Sequence, residues 1–216
     1  MLMFFRFMSY RFLLMFTLAT LAAGPAAAAE PTASQPTILV YGDSLSAAYR
    51  IPREQGWVSL LQQRLQQQGL PHHVVNASVS GETTSGGVSR LPAALKQHQP
   101  DIVVLELGAN DGLRGLPITD MQRNLRTMIE ASQATHARVL LVGMLIPPNY
   151  GPRYTREFAA SYGELAKRYD LPLLPFLLDG VAGKQELTQD DGLHPTTAAQ
   201  EKILDNVWTT LQPMLH

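Results

Sequence analysis

From Thr37 onward, short unbroken apolar runs alternate with longer stretches whose apolar residues return every three or four positions. The runs are Ile38–Val40, Val74–Val75, Ile102–Leu107, Val139–Val142 and the weaker Leu173–Leu174. Each reads as a short strand, Ile38–Val40 as one buried on both faces and the long third run as the clearest buried strand. Trp57, Val58, Leu60, Leu61 and Leu65 share one helical face, which Gly69 stops. Leu91–Leu95 is a helical patch, and Met121, Leu125, Met128 and Ile129 form another face with Thr119 or Asp120 as its N-cap. Phe158, Tyr162, Leu165, Ala166 and Tyr169 mark a further helix. Pro195 suits the first turn of a last helix carrying Ile203, Leu204, Val207, Trp208 and Leu211. Strands alternating with helices predict parallel strands joined by right-handed crossovers. The fold class is therefore α/β, a three-layer α/β/α sandwich on a mostly parallel five-stranded sheet.

In such a sheet, functional groups collect outside the carboxyl ends of the strands. The polar, glycine-containing segments of this chain fall there. Ser44 leaves the first strand through Gly42 and Asp43, at the end of a rigid element. Gly42–Ser46 nearly fits the G-x-S-x-G nucleophile elbow, but Ser46 replaces the last glycine, so it is not a standard α/β-hydrolase elbow. Taken alone, Asp43-Ser44 reads equally as a turn capping the next helix. Asp191 precedes His194 by three residues across Gly192. That spacing lets a carboxylate reach the near imidazole nitrogen and leaves Nε2 for the Ser44 hydroxyl. Asp190 is the neighbouring candidate; Asp191 is favoured. Acyl transfer also needs oxyanion donors, and the Gly81 N–H, the Asn110 amide and the Ser44 N–H qualify. Singly, Gly81 is an ordinary loop glycine and Asn110 an ordinary turn residue. The six histidines lack the paired spacing of a metal site.

Leu145–Tyr154 follows the fourth strand and holds three prolines and a glycine, which predicts a loop over the site. Ile146, Tyr150 and Tyr154 can wall an acyl chain there, while Arg153 or Arg156 can meet a phosphate head group. A solvated loop with surface arginines fits the same residues.

Composition narrows the compartment and excludes some partners. Hydrophobic residues make up 45% and charged ones 16% of 216 residues, with a net charge of -1, which gives no nucleic-acid footprint. Arg6 and Arg11, the apolar run Phe12–Leu21 and Ala27-Ala28-Ala29 make residues 1–29 a signal peptide, cleaved before Glu30. The run is too short for a membrane span, although an uncleaved anchor is the rival. Cleavage removes Arg6 and Arg11 and takes the charge from -1 to -3. Residues 30–216 then form a single domain, a monomer with no stable membrane span, exported to the periplasm or beyond. With no cysteine the chain has no disulfide and no thiol nucleophile, so its nucleophile is an oxygen.

Four blocks in order, Gly42-Asp43-Ser44-Leu45-Ser46, Asn76–Thr83, Glu106–Gly112 and Asp191–Pro195, closely resemble the SGNH (GDSL) hydrolases. Among these, the chain is similar to the bacterial periplasmic thioesterase/protease/lysophospholipase and arylesterase group. The resemblance covers residues 37–212 and implies a flavodoxin-like sandwich without metal or organic cofactor. It makes Ser44 the nucleophile, Asp191 and His194 its partners, and Gly81 and Asn110 oxyanion donors. It also implies a small ester, thioester or lysophospholipid as substrate. Glu82 departs from the pattern, since relatives often carry aspartate there. A non-catalytic binding protein on the same scaffold is the reading from another class, and a membrane-anchored scaffold a third.

Overall fold

The computed structural model describes residues 35–216, so the leader assigned to residues 1–29 lies outside the described part. Ile38, Leu39, Val40 and Tyr41 are fully buried because β1 (Thr37–Gly42) runs through the interior of the sheet. On one side it pairs with β2 (His73–Asn76), on the other with β3 (Ile102–Glu106). The sheet continues through β4 (Arg138–Val142) to the two-residue β5 (Leu173–Leu174). Every pairing is parallel, in the order β2-β1-β3-β4-β5. The strand order reverses at β1, with β2 added on one side of it and β3 to β5 on the other, so a crevice opens beyond the ends of β1 and β3. Register puts Gly42 beside Glu106 at that point.

Two groups of helices cover the sheet. α1 (Trp57–Gln67) packs on α6 (Gln200–Leu211), while α4 (Ile118–Ala134) lies between α2 (Thr84–His98) and α5 (Pro152–Tyr169). Gly69 does stop α1: its N–H and that of Leu70 take the carbonyls of Gln66 and Leu65 at 3.1 and 2.9 Å. The five strands expected from the apolar runs are all present, and the α/β/α class stands. Among the described residues no helix is long and apolar enough to cross a membrane.

Several local expectations change. α2 is far longer than the Leu91–Leu95 patch, starting at the Thr83 N-cap and running through Pro92. Tertiary packing overrides the weak propensities of Gly86, Gly87 and Pro92. α4 is preceded by Pro117 with no side-chain cap; Thr119 and Asp120 are already inside it, where Asp120 meets the positive end of the helix dipole. Leu145–Tyr154 is not all loop. Pro148–Tyr150 forms a 3-10 turn, and Pro152 opens α5, where its missing N–H costs nothing. Pro195 is outside the last helix: it pairs with Thr188 in an isolated antiparallel bridge, and a 3-10 turn over Thr197–Ala199 leads into α6.

Candidate active site

Ser44 sits on a turn built directly on the end of β1, where the Ala47 N–H donates to the Asp43 carbonyl at 2.9 Å. Asp43 is fully buried beneath it. One carboxyl oxygen accepts the Leu45 N–H and the other an Asn110 Nδ2–H, each at 3.0 Å. Glu106 is the second buried acid. Its Oε2 accepts the Ser46 hydroxyl at 2.7 Å and the Asp43 N–H at 3.2 Å. The carboxyl occupies the space a side chain at residue 42 would need, for a Cβ there would lie 2.4 Å from Oε2. Gly42 is required by this close approach. Burial pushes Asp43 up to about 7, against the hydrogen bonds from Leu45 and Asn110. Burial, then repulsion from Asp43, raises Glu106 well above the carboxylate range.

His194 arrives on the segment between β5 and α6. The loop closes on itself through Gln189, whose N–H donates to the His194 carbonyl at 2.7 Å. The Gln189 side-chain amide donates to the carbonyls of Pro195 and Tyr49, both at 2.9 Å, which ties the loop to the Ser44 turn. Asp191 Oδ1 accepts the N–H groups of Leu193 and His194, both at 2.9 Å, and its Oδ2 lies 2.8 Å from His194 Nδ1. The His194 N–H bond is the leading reason that Asp191 falls to about 2. With Nδ1–H donated to this carboxylate, Nε2 is left as acceptor, and it stands 2.8 Å from Ser44 Oγ. The Tyr49 ring packs on the imidazole with centroids 4.4 Å apart. Asp190 takes no part in the arrangement.

Gly81 lies on a turn at φ +79°, a conformation that favours glycine. Its carbonyl accepts an Arg114 N–H at 3.0 Å. Asn110 belongs to α3 (Ala109–Leu113), a short helix with no counterpart in the apolar pattern. Asp111 on α3 accepts both the N–H and the hydroxyl of Thr84, at 2.8 and 2.6 Å, so one carboxylate fastens the Gly81 turn to the helix carrying Asn110. The Asn110 amide donates to Asp43 and to the Glu82 carbonyl, both at 3.0 Å. An oxyanion must therefore share or take over one of these N–H groups. The N–H groups of Ser44 and Gly81 have no acceptor among the described residues.

A cavity opens beside Ser44 and His194, walled by Ala109, Leu113, Met144, Leu145, Ile146 and Leu178. Ile146 is thus at the site. Tyr150, Arg153 and Tyr154 do not line this cavity. The hydroxyls of Tyr150 and Tyr154 donate to the carbonyls of Leu113 and Leu116, both at 2.7 Å, and Arg153 is exposed and paired with Glu157. The two tyrosines support the α3–α4 connection from outside. Reasoning from sequence missed Asp43, Glu106, Gln189 and Tyr49. A charge ending the apolar run of β3 was the signal for Glu106; Gln189 and Tyr49 gave none. Among the described residues no group of three His, Asp or Glu side chains is placed to hold a metal ion.

Known proteins similar to this chain identify its family. Esterase TesA of Pseudomonas aeruginosa is 51% identical over 183 residues, 85% of this chain and 91% of that protein. Thioesterase 1/protease 1/lysophospholipase L1 of Escherichia coli K12 is 45% identical over 184 residues, 85% of this chain and 87% of that one. The structure of a psychrotrophic esterase, EstA from Pseudoalteromonas sp., inhibited by monoethylphosphonate, superposes with a TM-score of 0.80. It is 44% identical, over 83% of this chain and 98% of that one. A family model matches residues 40–202, and the chain belongs to the GDSL-like lipase/acylhydrolase family.

Proposed function

We propose that this protein is a serine esterase that cleaves small carboxylic esters and thioesters through an acyl-enzyme. The observation that carries the reading is the continuous line from Asp191 through His194 to Ser44, with both contacts at 2.8 Å. Ser44 Oγ attacks the acyl carbon while its proton moves to His194 Nε2. The ionised Asp191 stabilises the imidazolium and holds the ring. Charge on the carbonyl oxygen is met by the N–H groups of Ser44 and Gly81 and the amide of Asn110. The tetrahedral intermediate collapses, His194 returns the proton to the departing alkoxide or thiolate, and the acyl group stays on Ser44. Water, deprotonated by His194, then attacks the acyl carbon. His194 passes that proton to Oγ as the acid leaves. The apolar wall of Ala109, Met144 and Ile146 takes the acyl chain.

The relatives' names, esterase and thioesterase/lysophospholipase, favour the same chemistry. A leader over residues 1–29 would export the enzyme, where it would meet lysophospholipids and other free esters in place of cytoplasmic acyl thioesters. The test is a fluorophosphonate probe followed by peptide mass mapping. One label on Ser44, lost in Ser44→Ala and in His194→Ala, is expected. Labelling that persists in Ser44→Ala refutes the nucleophile. No labelling, with no hydrolysis of aryl esters, thioesters or lysophospholipids of graded chain length, leaves the non-catalytic binding protein.

A further inference from the structure

The large apolar side chains exposed among the described residues are Val79, Leu116, Leu145 and Leu193, at 44, 37, 49 and 42%. They are not scattered. Val79 lies between β2 and α2, Leu116 between α3 and α4, Leu145 between β4 and α5, and Leu193 between β5 and α6. Each of these connections leaves the carboxyl edge of the sheet. The connections at the opposite edge contribute none among the described residues. Exposed leucines need no explanation singly, but placement of all four on one rim does. The backbone holds them close to the site. The Val79 N–H donates to the Gly42 carbonyl at 3.0 Å, the Leu116 N–H to the Asp111 carbonyl at 3.0 Å, and Leu193 adjoins His194. Leu145 and Leu193 also edge the cavity; Val79 and Leu116 do not.

Two guanidinium groups share this rim. Arg114 reaches the Gly81 carbonyl, and Arg50 lies 5.1 Å above the Tyr49 ring that packs on His194. Among the described residues neither has a carboxylate within salt-bridge distance; Arg53, Arg126, Arg138, Arg156 and Arg168 also lack one, so it is the place of Arg50 and Arg114 on the apolar rim, not their lack of a partner, that sets them apart. A ring of apolar side chains with unpaired cations around an apolar cavity matches one kind of surface: acyl chains below a layer of phosphates.

We propose that the catalytic rim docks on a phospholipid surface, with Val79, Leu116, Leu145 and Leu193 entering its outer acyl layer and Arg50 and Arg114 meeting its phosphates. Docked this way, the mouth lies at the depth of the ester groups. An acyl chain passes from lipid to cavity without crossing water, which removes the desolvation step a soluble amphiphile faces. This rests on the reading that the cavity takes an acyl chain, but it adds a partner that the chemistry at Ser44 does not require.

The test uses the purified protein and a Val79→Ser/Leu116→Ser variant, which alters neither the cavity wall nor the site. Hydrolysis of a short aryl ester in true solution should change less than about twofold, since neither residue touches the reacting groups. Binding of the Ser44→Ala protein to phosphatidylcholine vesicles containing lysophosphatidylcholine, read by co-sedimentation, should weaken at least about fivefold when both serines are added. Arg50→Gln should weaken it further, and micelles of dodecyl maltoside, which have no phosphate, should not respond to Arg50→Gln. Should the double variant fail to fold, Leu116→Glu alone serves. Vesicle binding that is absent, or indifferent to these changes, overturns the proposal while leaving the esterase intact. Equal Arg50 dependence on maltoside micelles overturns its phosphate part. A wild-type protein that binds vesicles but hydrolyses no ester, soluble or aggregated, separates the other way and sinks the esterase reading alone.

Discussion

Asp43→Asn tests whether the buried acid under the nucleophile acts on stability and on Asn110 together. Asp43 titrates near 7 in the folded protein against an ordinary value of 3.8. Between those values the folded state keeps a proton that the unfolded state has lost. The Asp43 share of stability therefore falls as pH rises from about 4 to about 7, by on the order of 4 kcal/mol, and levels off above, while Glu106, also raised, adds a falling slope of its own in parent and variant alike. Asparagine has no such slope. It does bring one carbonyl oxygen to a position where two N–H donors, from Leu45 and Asn110, each need an acceptor. Leaving one donor unpaired costs about 1–3 kcal/mol. The variant should thus be less stable than the parent near pH 4 by about 1–3 kcal/mol, and as stable or more so near pH 8. Urea unfolding across that range measures the crossing, and an unchanged pH slope in the variant refutes the assignment. Catalysis is read alongside. If Asp43 works through Asn110, Asp43→Asn lowers kcat about tenfold at little changed KM, yet adds almost nothing in an Asn110→Ala background. Independent effects at the two positions would break that link.

Two further outcomes follow from the site. Asn110→Ala should lower kcat by about a hundredfold or more with KM nearly constant, because the donor matters most once the carbonyl oxygen is charged. A rise in KM at level kcat, measured on an aryl ester, would make Asn110 a ground-state binding residue. Ile146→Ala removes part of the cavity wall and should change the ratio of kcat/KM between long and short esters. Tyr150→Phe loses only the bond to the Leu113 carbonyl, so it should lower both rates alike; a chain-length effect from Tyr150→Phe would put that residue at the acyl chain.

The sheet was legible because strands buried on both faces leave continuous apolar runs, and Ile38–Val40 and Ile102–Leu105 are such runs. The helix patterns were less complete where special residues interrupt them. Gly86, Gly87 and Pro92 hid most of α2, and α3 spans too few residues for any periodicity to emerge. Pro152 looked like a breaker because composition does not say which turn of a helix a proline occupies. Topology brings Ser44 and His194 together across 150 residues, since both follow carboxyl ends of parallel strands, and the Asp191–His194 spacing and the four family blocks pointed to the same pair. Tyr150, Arg153 and Tyr154 share the right connection with Ile146, but a connection has an inner and an outer side, and no spacing in the sequence distinguishes them.

The oddity of Ser46 has a physical cause that only the structure supplies. A glycine at 46 would leave Glu106 Oε2 with the Asp43 N–H alone, and Glu106 Oε1 already has no partner among the described residues. A buried carboxyl with so few bonds is costly even when protonated. The Ser46 hydroxyl supplies the missing bond, Gly42 makes room for the acid, and Glu106 in turn fixes the N–H of Asp43, whose side chain holds Asn110. The serine in place of the elbow's second glycine is therefore part of the brace under Ser44. The two glycine-motif positions answer to one buried acid: residue 42 must lack a side chain and residue 46 must carry a donor.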